Sequence, residues 1–449
     1  MSHVFHRNLR ATLPKAVSAS GIHIVDQHGK QYIDACGGAA VSCLGHNHPS
    51  VLAAMQEQMH KLDYAHTSFF TTDVAEELAE LMVANGPKNM RKVYMVSSGS
   101  EAIEAALKMA RQYFLERGEF KRTQFIARRQ SYHGNTLGAL AVGGNAWRRE
   151  PFQPLLMDAT HIEPCYAYRN QREGESAHGY GQRLVAELES EIVRLGPDTV
   201  IAVCMEPVVG ATLGAVAAVE GYFQGVRRIC DKYGVLLIAD EIMCGMGRTG
   251  TLYALEQEGI EADLITVAKG LGGGYQAIGA VLVSEKVANV FSSGSGQFMH
   301  GHTYIGHPVA CAAALEVQKV LMREELVTHC AELGPYLRDS LHQAFDANPF
   351  VGDIRGRGLF QAIELVQSRE DKKPFDPRFK LNARIRDAAM DLGLMVYAMG
   401  GTIDGRLGDH ILLAPPFTVS PAQVQEIVGK LQQAVQLATS SIPLSTAAV

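Results

Sequence analysis

From residue 91 onward, short and nearly continuous apolar runs alternate with longer stretches of helical spacing, and this rhythm leaves the chain few folds to choose from. The runs lie at 92–96, 123–127, 200–205, 235–239, 264–268 and 277–283. They are too short for amphipathic helices and too uniformly apolar for strands with one wet face. Helical spacing at 101–117, 179–195, 218–233 and 307–322 separates several of them. Strands buried on both faces and joined through helices make a mainly parallel α/β sheet covered on both sides. In such sheets ligands bind outside the carboxyl ends of the strands. The strand ends are therefore where chemistry is to be sought.

The flanks read differently. At 21–38, two alternating apolar runs separated by His28 and Gly29 predict an antiparallel hairpin. Helices follow at 49–62, where Pro49 suits a first turn, and at 73–86, closed by a glycine. Beyond a helix ending near 345, strand-like runs at 351–365 and 410–420 alternate with helical stretches at 379–393 and 421–438. The expected organisation is a large domain over 61–330 and a smaller α+β domain over 331–449, to which an N-terminal segment, 1–60, contributes. Residues 439–449 are expected to fray.

Composition narrows the function classes. Forty-one basic against 47 acidic side chains give a formal charge of −6, which offers no polycationic surface to nucleic acid or an anionic membrane. The single tryptophan, Trp147, gives no support for aromatic stacking platforms. No apolar signal segment and no run long enough to span a bilayer is found, and the 8 cysteines form no CxxC pair. Free thiols and a cytoplasmic location are the expectation.

Three predicted strand ends carry unusual residues. "DLITVAKGLGGG" (263–274) places Lys269 at the end of a buried strand, before three glycines. "VLLIADEIMCG" (235–245) places Asp240 and Glu241 at another, and 29 residues separate Asp240 from Lys269, room for one connection between strands of one sheet. "YMVSSGSEAIEAALKMARQYF" (94–114) passes from strand to helix through Ser98, Gly99 and Ser100. That helix start is either a plain serine cap or a seat for an anion such as phosphate. A desolvated lysine forms imines with carbonyls, and a fixed carboxylate holds a ring nitrogen protonated. Phosphate seat, carboxylate and imine lysine are together what pyridoxal 5'-phosphate needs. Tyr132, in "SYHGNTLGAL" (131–140), is placed either to face a cofactor ring or simply to pack.

Two decoys are set aside. "GMGRTG" (245–250) matches GxGxxG, but Asp240 to Cys244 separate it from its strand, so it lacks the strand–turn–helix context of dinucleotide binding. His46 with His48, and His300 with His302, lack further ligands at metal spacing.

The ordered segments "DQHGKQYIDACGGAAVSCLGHNHPSV", "SSGSEAIEAALKMAR", "SYHG", "MEPVVG", "LLIADEIMCGMGRTG", "AKG", "GHTYIGHPVACAAA" and "GDHILLAPPF" resemble the class III, fold type I pyridoxal-phosphate aminotransferases over nearly the whole chain. The resemblance implies transamination by a ping-pong route; the alternatives are racemase, decarboxylase or aminomutase chemistry on the same fold, or a pyridoxal-phosphate-binding protein without turnover, against which the intact Lys269 argues. It implies Lys269 as imine lysine and proton shuttle, Asp240 at the pyridine nitrogen, Tyr132 and Ile242 on the two ring faces, and Ser98, Gly99 and Ser100 at the phosphate. Glu206 joins the hydrogen-bonding shell. Thr303 reaches the phosphate of a neighbouring subunit, so a homodimer with shared active sites, or a dimer of such dimers, is implied.

The chain departs from the ornithine-like members of that family. Leu412 stands where they carry an arginine for the α-carboxylate, and Ala211 where they carry a switching glutamate. The resemblance then points to omega-amino acid or amine donors and a small keto-acid acceptor, pyruvate first. Arg406 lies close to, but out of register with, a carboxylate-binding arginine of such enzymes. Tyr64, Phe69 and Phe417 are either substrate-pocket walls or ordinary packing.

Overall fold

The computed structural model describes residues 3–440 and 442. The reading of a frayed 439–449 falls mostly outside those residues. The central sheet has seven strands in the spatial order Met90–Val96, Gly279–Ser284, Leu264–Val267, Leu236–Asp240, Val200–Met205, Gln124–Arg128 and Thr160–Ile162. Only Gly279–Ser284 runs antiparallel to its neighbours; the strands from Leu264–Val267 to Thr160–Ile162 are mutually parallel. The three-residue strand Thr160–Ile162, in a stretch the sequence pattern does not mark, closes one edge.

Why these runs are apolar throughout is visible in their two faces. Ile238, Leu236, Cys204, Ala202 and Leu264 face one core, filled by Ile103, Leu107, Ala110 and Phe114 of the helix Gly99–Glu116. The alternate residues Leu237, Ala239, Val203, Met205 and Ile265 face another. Leu188 and Ile192 of Ala177–Leu195, Val226 and Ile229 of Tyr222–Tyr233 and Ala314 of Pro308–Arg323 fill that second core. Alternation of two apolar sets, each with its own helical cover, is what a period of two requires when neither face is wet.

At the flanks, His23–Asp26 and Gln31–Asp34 form the antiparallel hairpin around the turn at His28 and Gly29. Gln31–Asp34 also pairs in parallel with Leu394–Met395. Ile22 and Ile33 share a core with Leu337, Ile363, Ile411 and Val424, so apolar residues from the two ends of the chain pack together. A further sheet in the order Val351–Arg357, Phe360–Leu365, Asp409–Leu413, Tyr397–Gly400 is antiparallel throughout. All eight cysteines are buried and unpaired.

The antiparallel strand bears directly on the helix start at Ser98. A Cβ on Gly279 would stand 2.6 Å from Ser98 O, the carbonyl that accepts the helix's first bond from Ala102 N–H. Gly279→Ala is therefore expected to destabilise the protein by about 1–3 kcal/mol through overpacking. Denaturant unfolding checks this, with the midpoint lowered and the slope unchanged.

Candidate active site

Leu236–Asp240 and Leu264–Val267 are adjacent and parallel, with Asp240 level with Thr266. Asp240 and Lys269 therefore emerge together at the carboxyl edge of the sheet. Lys269 turns there with a φ of 46°, a strained conformation for a non-glycine residue that costs about 1–3 kcal/mol. The glycines behind it allow close passage: a Cβ on Gly272 would stand 2.7 Å from Gln276 O, and Gly273 and Gly274 also have positive φ. Lys269 opens on a cavity of about 440 Å³ lined also by Ser98, Gly99, Ser100, Tyr132, Glu206, Asp240 and Ile242. Burial takes its ammonium out of water and, against the pull of Asp240 and Cys244, lowers its pKa to about 8.

Asp240 is held from two sides. One carboxylate oxygen accepts from Ile242 N–H at 3.0 Å and the other meets His133 Nδ1 at 2.7 Å. His133 is buried, and burial alone would discharge it, yet Cys204, Glu206 and Asp240 around the ring raise its pKa well above the usual imidazole value. Its Nε2 has no hydrogen-bond partner among the described residues and lies 4.0 Å from Glu206 Oε2. Glu206 in turn accepts from Tyr132 N–H at 3.0 Å and sits 3.5 Å from the guanidinium of buried Arg128. Arg128, Glu206, His133 and Asp240 thus alternate in sign. Glu241, next in sequence, points away and accepts from Ala254 and Leu255 N–H.

The helix start serves the same cavity. Ser98 Oγ accepts from Glu101 N–H at 3.2 Å, so it is a true cap, while the first-turn N–H groups have no intrahelical acceptors. Ser100 Oγ accepts from Asn135 N–H at 3.1 Å. A Cβ on Gly99 would come within 2.9 Å of the Ile242 side chain, so only glycine lets both line the cavity.

The family model for aminotransferase class-III matches residues 4–435. The chain is a class-III aminotransferase. An uncharacterized aminotransferase of Schizosaccharomyces pombe is 43% identical over 443 residues, 98% of this chain and 96% of that one. A solved (S)-enantioselective omega-transaminase from Thermomicrobium roseum is 34% identical with a TM-score of 0.91, covering 97% of this chain and 96% of that one. An omega-transaminase from Pseudomonas jessenii, solved in complex with PMP, is 33% identical with a TM-score of 0.90, covering 96% and 94%. Class-III aminotransferases use pyridoxal phosphate, and the cavity fits that group. A depressed lysine, a doubly held carboxylate, an aromatic ring and a helix N-terminus converge there, and the buried Glu206 Oε2 accepts no hydrogen bond from the described residues.

Other residues singled out in the sequence lie elsewhere in the aminotransferase. Thr303 borders a second cavity, of about 780 Å³, with His66, Tyr94 and His302. Tyr64 Oη donates to Thr303 O at 3.0 Å, and Phe69 is 78% exposed. Arg406 pairs with Glu150 at 3.0 Å beside a third cavity shared with Arg148 and Thr212. Phe417 forms no wall of the Lys269 cavity: it is fully buried 4.5 Å beneath the Arg248 guanidinium, in the core with Ile363 and Val424. Ala211 lines the Lys269 cavity, and Leu412 lies in the same apolar cluster behind it.

Sequence reasoning passed over His133, whose signal was its place beside Tyr132 just past a strand end. The pair Arg128–Arg129 reads in sequence as a helix end or solvated loop, whereas Arg128 ends a strand and is buried. The depressed Lys269 yields a pH test. Its neutral amine accumulates through pH 8, so the rate at which apoprotein captures pyridoxal phosphate should rise with an apparent pKa of about 8 and then level off. A stopped-flow profile that keeps climbing toward the ordinary lysine range would contradict the effect of burial.

Proposed function

We propose that the enzyme transfers an amino group from an omega-amino acid or primary amine to a small keto acid, pyruvate first, in two half-reactions with the donor's carbonyl product leaving before the acceptor enters. The observation that carries this reading is the neutrality of the substrate side of the cavity. Val41, Val208, Gly210, Ala211 and Met243 line it, and among the described residues no arginine does. An alkyl or aryl amine buries apolar surface there, whereas a carboxylate beside the reacting carbon, pyruvate's included, must take its cation from beyond that wall.

When bound, pyridoxal phosphate supplies the aldehyde and the electron-withdrawing ring that make an amino group transferable. Asp240, fixed by Ile242 N–H and His133, would hold the ring nitrogen without reorganising. Lys269 Nζ holds the cofactor and then carries the proton to and from the amine-bearing carbon, a task for which a pKa of about 8 is well matched. Tyr132 and Ile242 would hold the ring between them, while Ser98, Gly99 and Ser100 would take the phosphate.

The same reading divides the chain into a large cofactor-binding domain, 61–330, and a small domain from 331–449 with 1–60. It pairs two copies so that Thr303, Tyr64 and Phe69 of one complete the site of the other. The exposure of Phe69, Phe70, Met299 and Tyr304 supports a covered face there. Arg406 is assigned to the acceptor's carboxylate; its pair with Glu150 is exposed, and such pairs are cheap to exchange.

Two measurements test the reading. With pyruvate as acceptor the enzyme should convert primary amines, 2-oxoglutarate and glyoxylate serving less well, and Lys269→Ala should abolish turnover while eluting as the same dimer. Turnover in that variant, or none with any amine in the wild type, would sink the assignment. Arg406→Ala should raise the KM for pyruvate about tenfold or more and leave that for an uncharged amine nearly unchanged, whereas equal effects on both would remove Arg406 from the acceptor site.

A further inference from the structure

Gly210 and Ala211, which line the Lys269 cavity, belong to the loop between the short paired strands Val208–Val209 and Val216–Ala217. The loop closes on itself through Gly214 N–H to Gly210 O at 2.8 Å. From outside it is gripped by one side chain of the antiparallel sheet. Arg355 Nε donates to Gly214 O at 2.7 Å, and its Nη2 donates to Leu213 O. No other side chain among the described residues hydrogen-bonds either carbonyl.

Arg355 is itself anchored by charge. Its Nη1 donates to Asp353 Oδ2 at 2.7 Å and to Glu364 Oε2 at 2.6 Å. Glu364 is fully buried, and it also accepts from Arg169 Nε at 2.6 Å and from Tyr166 Oη. Burial works against both charges, but Tyr166, Glu364 and Asp353 raise the guanidinium's pKa, and Arg355 and Arg169 lower that of Glu364, so the group stays ionised. Buried ion pairs are a weak source of stability, because desolvation offsets most of the attraction. Bidentate guanidinium contacts do, however, fix geometry.

The loop has no slack on its other side either. A Cβ on Gly210 would stand 2.5 Å from Met243 Sδ and 2.8 Å from the Phe360 ring, and one on Gly214 would stand 2.7 Å from the His410 ring. Phe360 and His410 belong to the same antiparallel sheet as Arg355, and Met243 lines the cavity.

We propose that Arg355 is a specificity-determining positioning residue: by clamping the carbonyls of Leu213 and Gly214 to the antiparallel sheet it sets where the Gly210–Ala211 wall stands, and so the size of amine the cavity admits. The inference rests on the reading that the donor binds in that cavity. The test is Arg355→Lys in the holoenzyme, which keeps the cation between Asp353 and Glu364 but cannot donate to both carbonyls at once. The ratio of kcat/KM for 1-phenylethylamine over that for n-butylamine should rise about tenfold, because a released wall recedes. Amide hydrogen exchange should quicken across 210–216 and stay unchanged around Lys269.

Glu364→Gln, which loosens the anchor without emptying it, should move both readouts the same way by less, and it decides the matter if Arg355→Lys does not fold. A folded variant in which both amines lose activity by one factor, or whose loop exchange is unchanged, overturns the proposal. Were the wild type to convert neither amine, the donor reading would fall and loop exchange alone would decide the role of Arg355.

Discussion

The parallel pairing of Leu236–Asp240 with Leu264–Val267 is the constraint on which the site depends, since it alone brings a carboxylate and a lysine 29 residues apart to one edge of the sheet. That edge is dry. Both strands are buried on both faces, so Lys269 emerges from an apolar interior and loses much of its preference for the charged state. The same dryness makes Asp240 useful: a carboxylate fixed by a backbone N–H and an imidazole stays where it is while charge develops nearby. Strain at Lys269, with its φ of 46°, is tolerated because the strand on one side and the close-packed glycine loop on the other leave the backbone no alternative.

Around this pair the chain places charge in alternation. The bases Arg128 and His133 alternate with the acids Glu206 and Asp240, and none of the four is exposed. Taking them out of water is expensive, and only mutual neutralisation keeps the cost acceptable. The arrangement has a functional consequence, because His133 cannot leave without exposing Asp240 and Glu206 to each other's like charge. Asp240 is thus linked, through His133 and Glu206, to an arginine two strands away in the sheet.

The large sheet, its helices and the Lys269–Asp240–Ser98 triad were legible because they depend on local pattern: strand length, helical spacing and residues at strand ends. The direction of Gly279–Ser284 was not, since a period of two is the same in parallel and antiparallel strands. For Phe417 the sequence left pocket wall and ordinary packing equally open, because its ring lies under Arg248, a contact 169 residues away that no local pattern encodes. Arg355 was invisible for the same reason. Its partners Leu213, Gly214 and Glu364 come from separate parts of the chain, and the two arginines of "GDIRGRG" give no hint that the first will sit between two acids.

The charges also bear on what kind of donor is welcome. Asp240 and Glu206 are the carboxylates lining the cavity, and the cation beside them, Lys269, is half discharged at about pH 8. A protonated amine approaching this interior is drawn toward the carboxylates. A second carboxylate carried close to the amine would meet the opposite field, with Ala211 and Leu412 offering no compensation. Placed several bonds further out, that carboxylate escapes the repulsion and comes within reach of cations outside the cavity, where Arg148 and Arg406 border one recess. On the proposed reading an ω-carboxylate meets those cations unaided, whereas the carboxylate of pyruvate, next to its reacting carbon, needs Arg406 to reach in from the rim.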